Sequence, residues 1–178
     1  MTEALVQFVR DRLDEDYEAA RLTLGINVMA RVRRGESAPR WVASPEGDAG
    51  IWDTDGTPRV KFAWARERDH IVRHDPVRVL REIAAKRLML DEALASRHHI
   101  SSDQYETCPR ATEADGLDAT QLAALTRLNE EQRHESGREP TCWDSCGRDA
   151  RVHRTLELLA LPYVDHPNYM QAVLAGQA

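Results

Sequence analysis

Leu5, Val9, Leu13, Tyr17, Ala20, Leu24 and Val28 recur at spacings of three and four, with acids and arginines between them. That period lays one apolar stripe along a helix. An amphipathic N-terminal helix is expected within residues 1–34, opened by Thr2 as its N-cap. Gly25 could end it, yet the apolar phase continues through Val28 and Val32, which puts the end between residues 24 and 34.

Over residues 38–65 the period changes. Arg40-Trp41-Val42-Ala43, Gly50-Ile51-Trp52-Asp53 and Arg59-Val60-Lys61-Phe62-Ala63-Trp64 are β-favouring runs separated by Pro-Glu-Gly-Asp and Asp55-Gly56. They predict a small antiparallel meander. Three of the four tryptophans lie here. In so small a sheet they are expected to cover one face and build its core rather than to stack on a ligand.

Helical spacing returns over 66–99, as one helix from about Arg66 to His74 and another from Pro76 to about Arg97. Asp75-Pro76 supplies an N-cap followed by the proline-tolerant first position. Val79, Leu80, Ile83, Leu88, Leu90 and Leu94 should be its buried side. Residues 98–117 read as a loop. Asp118 and Gln121 form a capping-box pattern that opens an acidic helix over 118–134. The stretch 142–178 reads as a Cys/His turn, a helix from about Asp149 to Leu161 with Leu156, Leu158, Leu159 and Leu161 mostly buried, and a short helix from Pro167. The expected class is α+β: one mainly helical domain spanning 1–178, with a small antiparallel β-meander and a loop that zinc could staple.

The chain has 178 residues, 42% hydrophobic and 30% charged. That is too apolar for wholesale disorder and too polar for a membrane protein. No apolar run approaches the roughly 20 residues of a bilayer span, and the first residues lack a basic-then-apolar leader, so a soluble, cytoplasmic protein is expected with no membrane partner. The net charge of -6 disfavours nonspecific attraction to phosphate backbones. Clusters at Arg31, Arg33, Arg34 and Arg40 and from Arg66 to Arg87 are expected to be solvated helix faces.

Three cysteines are an odd number without a secretory signal, which favours thiols or metal thiolates over a disulfide framework. Cys142-x3-Cys146-x6-His153 could supply three tetrahedral corners to zinc, with Cys108 or one of His98, His99 and His134 as the fourth. Cys108, Cys142, Cys146 and His153 are the preferred set; the structural alternative is that the cysteines are simply small buried apolar groups. Four protein ligands would leave no open position, so such a zinc would be structural.

A second constellation is His70 and His74, four residues apart on one helix face, with Asp75 adjacent and Asp165-His166 as further candidates. Imidazole with carboxylate can bind a catalytic metal or exchange protons. Against it, Asp75 is well explained as a cap, and no glutamate within His-x-x-x-His completes a metalloprotease pattern. Phosphate-cradling, dinucleotide-binding and nucleophile-elbow motifs are absent.

The block His70-Ile71-Val72-Arg73-His74-Asp75-Pro76-Val77-Arg78-Val79-Leu80 and the block Thr155-Leu156-Glu157-Leu158-Leu159-Ala160-Leu161-Pro162-Tyr163-Val164-Asp165-His166-Pro167 resemble a family of small uncharacterised proteins of actinobacteria and their phages. Leu13-Asp14-Glu15-Asp16 fits the same resemblance more loosely. The resemblance implies a cysteine cluster with metal-site spacing before the terminal block. His153 stands near the place where relatives carry its last cysteine, directly before Arg154-Thr155-Leu156. Two departures are Ala38-Pro39-Arg40-Trp41 where relatives show Gly-Pro-Trp, and the helix at 118–134. The resemblance carries no activity.

Together these features predict a noncatalytic binding or regulatory module that contacts a protein, with structural zinc. The alternatives are a small metal-dependent hydrolase using His70 and His74 and, third, a DNA-binding accessory factor.

Overall fold

A computed structural model describes residues 3–47 and 49–177; Thr2, the expected N-cap, lies outside them. The chain divides into two compact units. Gln7–Leu88 is called here the sheet lobe, and Met89–Ala178 with Met1–Val6 the cysteine lobe. The architecture is mainly helical with one small antiparallel sheet, as the periodicities predict.

The N-terminal helix is two helices, α1 at Glu3–Leu24 and α2 at Ile26–Arg33. Leu5, Val9 and Leu13, spaced by four, are fully buried along α1. Gly25 between the helices has φ +84° and ψ 161°, a conformation that disfavours any residue with a Cβ and breaks the helical path. Helix α1 ends at the near limit of the expected range of 24–34, and the rest of the 1–34 stretch forms a second helix instead of continuing the first. The apolar phase nevertheless survives the break, because Leu24, Val28 and Met29 pack with Val77 in one buried cluster.

Strands β1 at Trp41–Ala43, β2 at Ile51–Asp53 and β3 at Pro58–Val60 form the meander in the order β1-β2-β3. Trp41 pairs with Asp53 and Val42 with Trp52. Adjacent strand residues point to opposite faces, so Trp41 and Trp52 lie on opposite sides of the sheet and both are half-buried. Trp64 is 69% exposed. The expectation that the tryptophans cover one face is therefore wrong: the side carrying Ile51 and Asp53 is the buried one, and the third run leaves the ladder after Val60, past a register shift at Ile51/Trp52.

Buried Asp53 closes the β2–β3 turn. Its Oδ1 accepts the N–H groups of Asp55 (3.0 Å) and Thr57 (2.8 Å), and its Oδ2 accepts Arg59 Nε at 2.9 Å. Burial would push this carboxyl up, but the Thr57 and Asp55 N–H groups and Arg59 together hold it below its ordinary range.

Helix α3 covers Ala65–Arg73 and α4 covers Pro76–Ala95. Asp75 joins them, fully buried. It caps α4 through the Arg78 N–H at 2.7 Å and accepts a second bond from Arg40 Nε. Ile83 and Leu90, two turns apart, are buried, whereas Leu88 is 69% exposed. Leu88 follows Ile83 by five residues, about 140° around the helix, which corrects its expected place in the stripe.

In the cysteine lobe, α5 spans Ala119–Ser136 behind the Asp118–Gln121 capping box. Helix α6 spans Arg148–Ala160, passes into a 3-10 turn at Leu161–Tyr163 containing Pro162, and α7 follows at Tyr169–Gln177. Leu156 and Leu159 are buried, but Leu158 and Leu161 are about half exposed. The terminal leucines thus bury one face and not the whole circumference. No helix among the described residues is long and apolar enough to cross a membrane.

Candidate metal centre

The segment from Ser96 to Gly116 lacks apolar periodicity and is held by polar bonds. Buried Asp115 is its hub: its carboxylate accepts the N–H groups of His98 and Thr112, each at 2.7 Å, and the Thr112 hydroxyl at 3.0 Å. Burial opposes ionisation of Asp115, yet these donors outweigh it and hold the carboxyl below its ordinary range. A second tie runs from the Cys108 N–H to the His99 carbonyl, 3.0 Å. Together they fix the backbones that carry His98 and Cys108.

Cys142 and Cys146 flank a tight turn. The N–H groups of Cys146 and Gly147 both reach the Trp143 carbonyl, at 3.0 and 2.8 Å. Gly147 has φ +63°, and a Cβ there would meet Arg151 Nη1 at 2.9 Å and the Asp144 carbonyl at 3.4 Å. Glycine takes the left-handed backbone of this handover to α6 without the strain a Cβ would add.

These segments converge. One ligand atom from each of His98, Cys108, Cys142 and Cys146 lies within 4.8 Å of every other. His98 Nδ1 stands 3.4 Å from Cys108 Sγ and 3.7 Å from Cys146 Sγ. Ligands at ordinary zinc bond lengths on a tetrahedron are separated by roughly 3.6 Å for nitrogen to sulfur. The donor set, three soft thiol sulfurs and one imidazole nitrogen, fits zinc as well as the spacing does.

The surroundings suit ligation. His98 Nε2, opposite the ring nitrogen that faces the thiols, lies 3.6 Å from Asp149 Oδ1. Asp149 is held by Arg148 Nη1 at 2.9 Å, and the same guanidinium donates to the Ser96 and Leu94 carbonyls, each at 3.0 Å. A ligating imidazole commonly donates its other ring N–H to a carboxylate, and Asp149 stands on that side of His98, just beyond direct hydrogen-bond distance. Cys146 Sγ also accepts the His99 N–H at 3.2 Å.

The thiols differ electrostatically. Burial pushes Cys108 up to about 12, despite N–H groups from Arg110 and Trp143. Burial is the largest influence on Cys146 as well, but the His99 and Arg148 N–H groups, His98 and Cys142 outweigh it and bring that thiol down to about 6. Several thiolates in one buried cluster repel each other, and a divalent cation among them would remove that penalty.

A profile of the family of unknown function DUF6221 matches residues 2–172. The chain belongs to that family. No curated protein and no solved structure matches it. Family membership therefore adds no reaction to the geometry.

His153, expected with Cys142 and Cys146 as one of the first three ligands, is not among the gathered four. It sits on α6 with Nδ1 3.6 Å from Glu157 Oε1, and lines a cleft of about 480 Å³ shared with Cys142, Trp143 and Asp149. His98, one of the weaker alternatives, takes the place beside the thiols. His99 contributes only its backbone to the cluster, and its side chain is exposed, as is His134 on α5. The sequence signal for His98 was the lack of any helical role for the His98-His99 pair, since it falls just past the end of α4.

His70 on α3 and His74, the residue that caps its C-terminal end, lie together, with ring centroids 4.5 Å apart. Both are exposed. The neighbouring Asp75 carboxylate is occupied by the Arg78 N–H and by Arg40. His166 Nδ1 accepts the Asn168 N–H at 3.1 Å within its own turn, and Asp165 is exposed.

Proposed function

We propose that this chain is a noncatalytic binding or regulatory module, working as one domain over 1–178, in which a structural zinc held by His98, Cys108, Cys142 and Cys146 fixes the cysteine lobe. The observation that carries the reading is the convergence of three thiols and one imidazole from two irregular segments. With all four positions filled by protein there is no place for a substrate on the metal. A protein partner is supported by Leu158, Leu161, Val164, Met170 and Leu174, each about half exposed or more, since apolar side chains left in water favour contact with another surface. An origin in actinobacteria or their phages is supported by the two motif blocks that open and close on His70 and Pro167.

Elemental analysis of protein purified without chelator tests the site, with about one zinc per chain expected for a single tetrahedral centre. Metal content near zero after purification in zinc-supplemented medium would sink it.

A further inference from the structure

The segment Lys61-Phe62-Ala63-Trp64-Ala65-Arg66 holds two large aromatic rings in water. Phe62 is 58% exposed and Trp64 69% exposed, while Ala63 between them is 5% exposed. The Ala63 N–H donates to the Ala49 carbonyl at 2.8 Å. Trp64 then starts α3, its N–H held by Glu67 Oε2 at 3.2 Å. The backbone is thus anchored on both sides of the aromatic pair, and the buried place falls to the small residue between the rings. The rings meet edge to face, centroids 5.2 Å apart, at 81°. Each keeps most of its surface free.

Cations flank the rings. Lys61 precedes Phe62 and Arg66 follows Trp64, both exposed, and neither has an ion pair among the described residues. Exposed Arg73 stands at the far end of α3, whereas Arg59 is taken up by Asp53. The charge of the whole chain hides this asymmetry. Residues 7–88 carry 16 basic and 14 acidic side chains, net +2, while the remaining residues carry 8 and 16, net -8.

We infer that the Lys61–Arg66 segment is a binding surface for single-stranded nucleic acid, with Trp64 and Phe62 as stacking platforms for bases and Lys61 and Arg66 as contacts to the flanking phosphates. Every base offers a π-face to an exposed ring whatever the sequence, and the phosphates of the strand bring negative charge alongside. An apolar protein surface would match the rings but leave Lys61 and Arg66 facing it unpaired; a duplex would keep its bases stacked internally and out of reach of the rings. This surface belongs to the sheet lobe and does not use the metal centre, so failure of either proposal leaves the other standing.

The test uses the full chain and a fluorescein-labelled oligothymidylate of about 15 nucleotides, a length within the range a single-strand site covers. Anisotropy should show binding that weakens as salt rises. Trp64→Ala should reduce affinity roughly 5- to 150-fold, as loss of one stacked base does. Lys61→Ala and Arg66→Ala should each flatten the plot of log affinity against log salt by about 0.7, the share of one single-strand phosphate. An abasic strand of equal length should bind more weakly than the oligothymidylate. Because Trp64 is so exposed, melting and the far-ultraviolet spectrum of Trp64→Ala should match the parent. Absence of binding at low salt would overturn the inference, as would equal binding of the abasic strand or an unaltered affinity in Trp64→Ala. Concentration-dependent self-association abolished by Trp64→Ala, without oligonucleotide binding, would assign the rings to a second copy of the chain instead.

Discussion

In the sheet lobe the irregular backbone is pinned by buried carboxylates, Asp53 holding the β2–β3 turn and Asp75 the junction of α3 and α4. In the cysteine lobe the comparable task falls to His98, Cys108, Cys142 and Cys146, with Asp115 as a supporting hub. The carboxylates have their partners within the chain: N–H groups and the arginines Arg59 and Arg40. The thiols do not. Backbone N–H groups favour ionisation at Cys146, yet burial keeps Cys108 protonated. A buried polar cluster is stabilising when every member is satisfied and costly when it is half satisfied; the carboxylate pins of the sheet lobe are satisfied, and the thiol cluster is compatible with a cation that would complete it.

The contrast can be broken most directly at Cys146. Cys146→Ser should abolish zinc retention and lower the stability of the cysteine lobe by several kcal/mol, since metal binding free energy is folding free energy where the site forms only on folding. Chelator added to the parent protein should reproduce the loss. Metal analysis with thermal melting decides it, and an unchanged melt in both cases would mean the cluster is stable without metal.

A smaller effect is expected from Asp75→Ala, about 1–3 kcal/mol, because it leaves the Arg78 N–H and the Arg40 guanidinium without their acceptor. Zinc content should not change. Denaturant unfolding of the variant measures this, and a loss of metal would show that the two kinds of pin are not independent.

Acid should distinguish them again. Asp53 and Asp115 have carboxyls held below their unfolded value. Their contribution is present above the unfolded pKa of about 3.9 and is lost as pH falls through the lower folded value. Zinc release, which needs protons to compete for thiolates and imidazole, should come at higher pH than that loss. Parallel titrations of metal content and of melting temperature should therefore separate, with the metal leaving first.

The smallest effect belongs to the exposed histidines. His70→Ala and His74→Ala should each change stability by no more than about 0.5 kcal/mol, the usual range for surface positions, and leave the zinc content intact. Loss of metal in either would move the metal centre to α3.

Much of the scaffold was legible because it depends on local rules. Leu5, Val9 and Leu13 mark α1 by spacing alone, Asp75-Pro76 and Asp118 mark the starts of α4 and α5 by their capping chemistry, and the short β-favouring runs mark the meander. Where two local rules competed, the sequence left a range. At Gly25 helical phase and glycine freedom pointed in opposite directions, and the positive φ decided for a break.

What the sequence determined by itself about this protein is therefore the order and kind of its elements and the identity of the three thiols as candidate ligands. Only the tertiary structure decided which histidine joins them. His153 has the better spacing, but spacing along a helix fixes direction as well as distance, and on α6 its ring lies beside Glu157. His98 is 44 residues from Cys142 in the chain and yet among the gathered ligands, because Asp115, the Cys108–His99 bond and Arg148 fold one irregular segment onto the start of another. The same division governs Trp64: its residue type suits a core, yet in the fold it is exposed while the neighbouring Ala63 is buried. Local periodicity is written in adjacent residues, whereas ligand sets and exposed rings depend on which distant backbone groups satisfy each other.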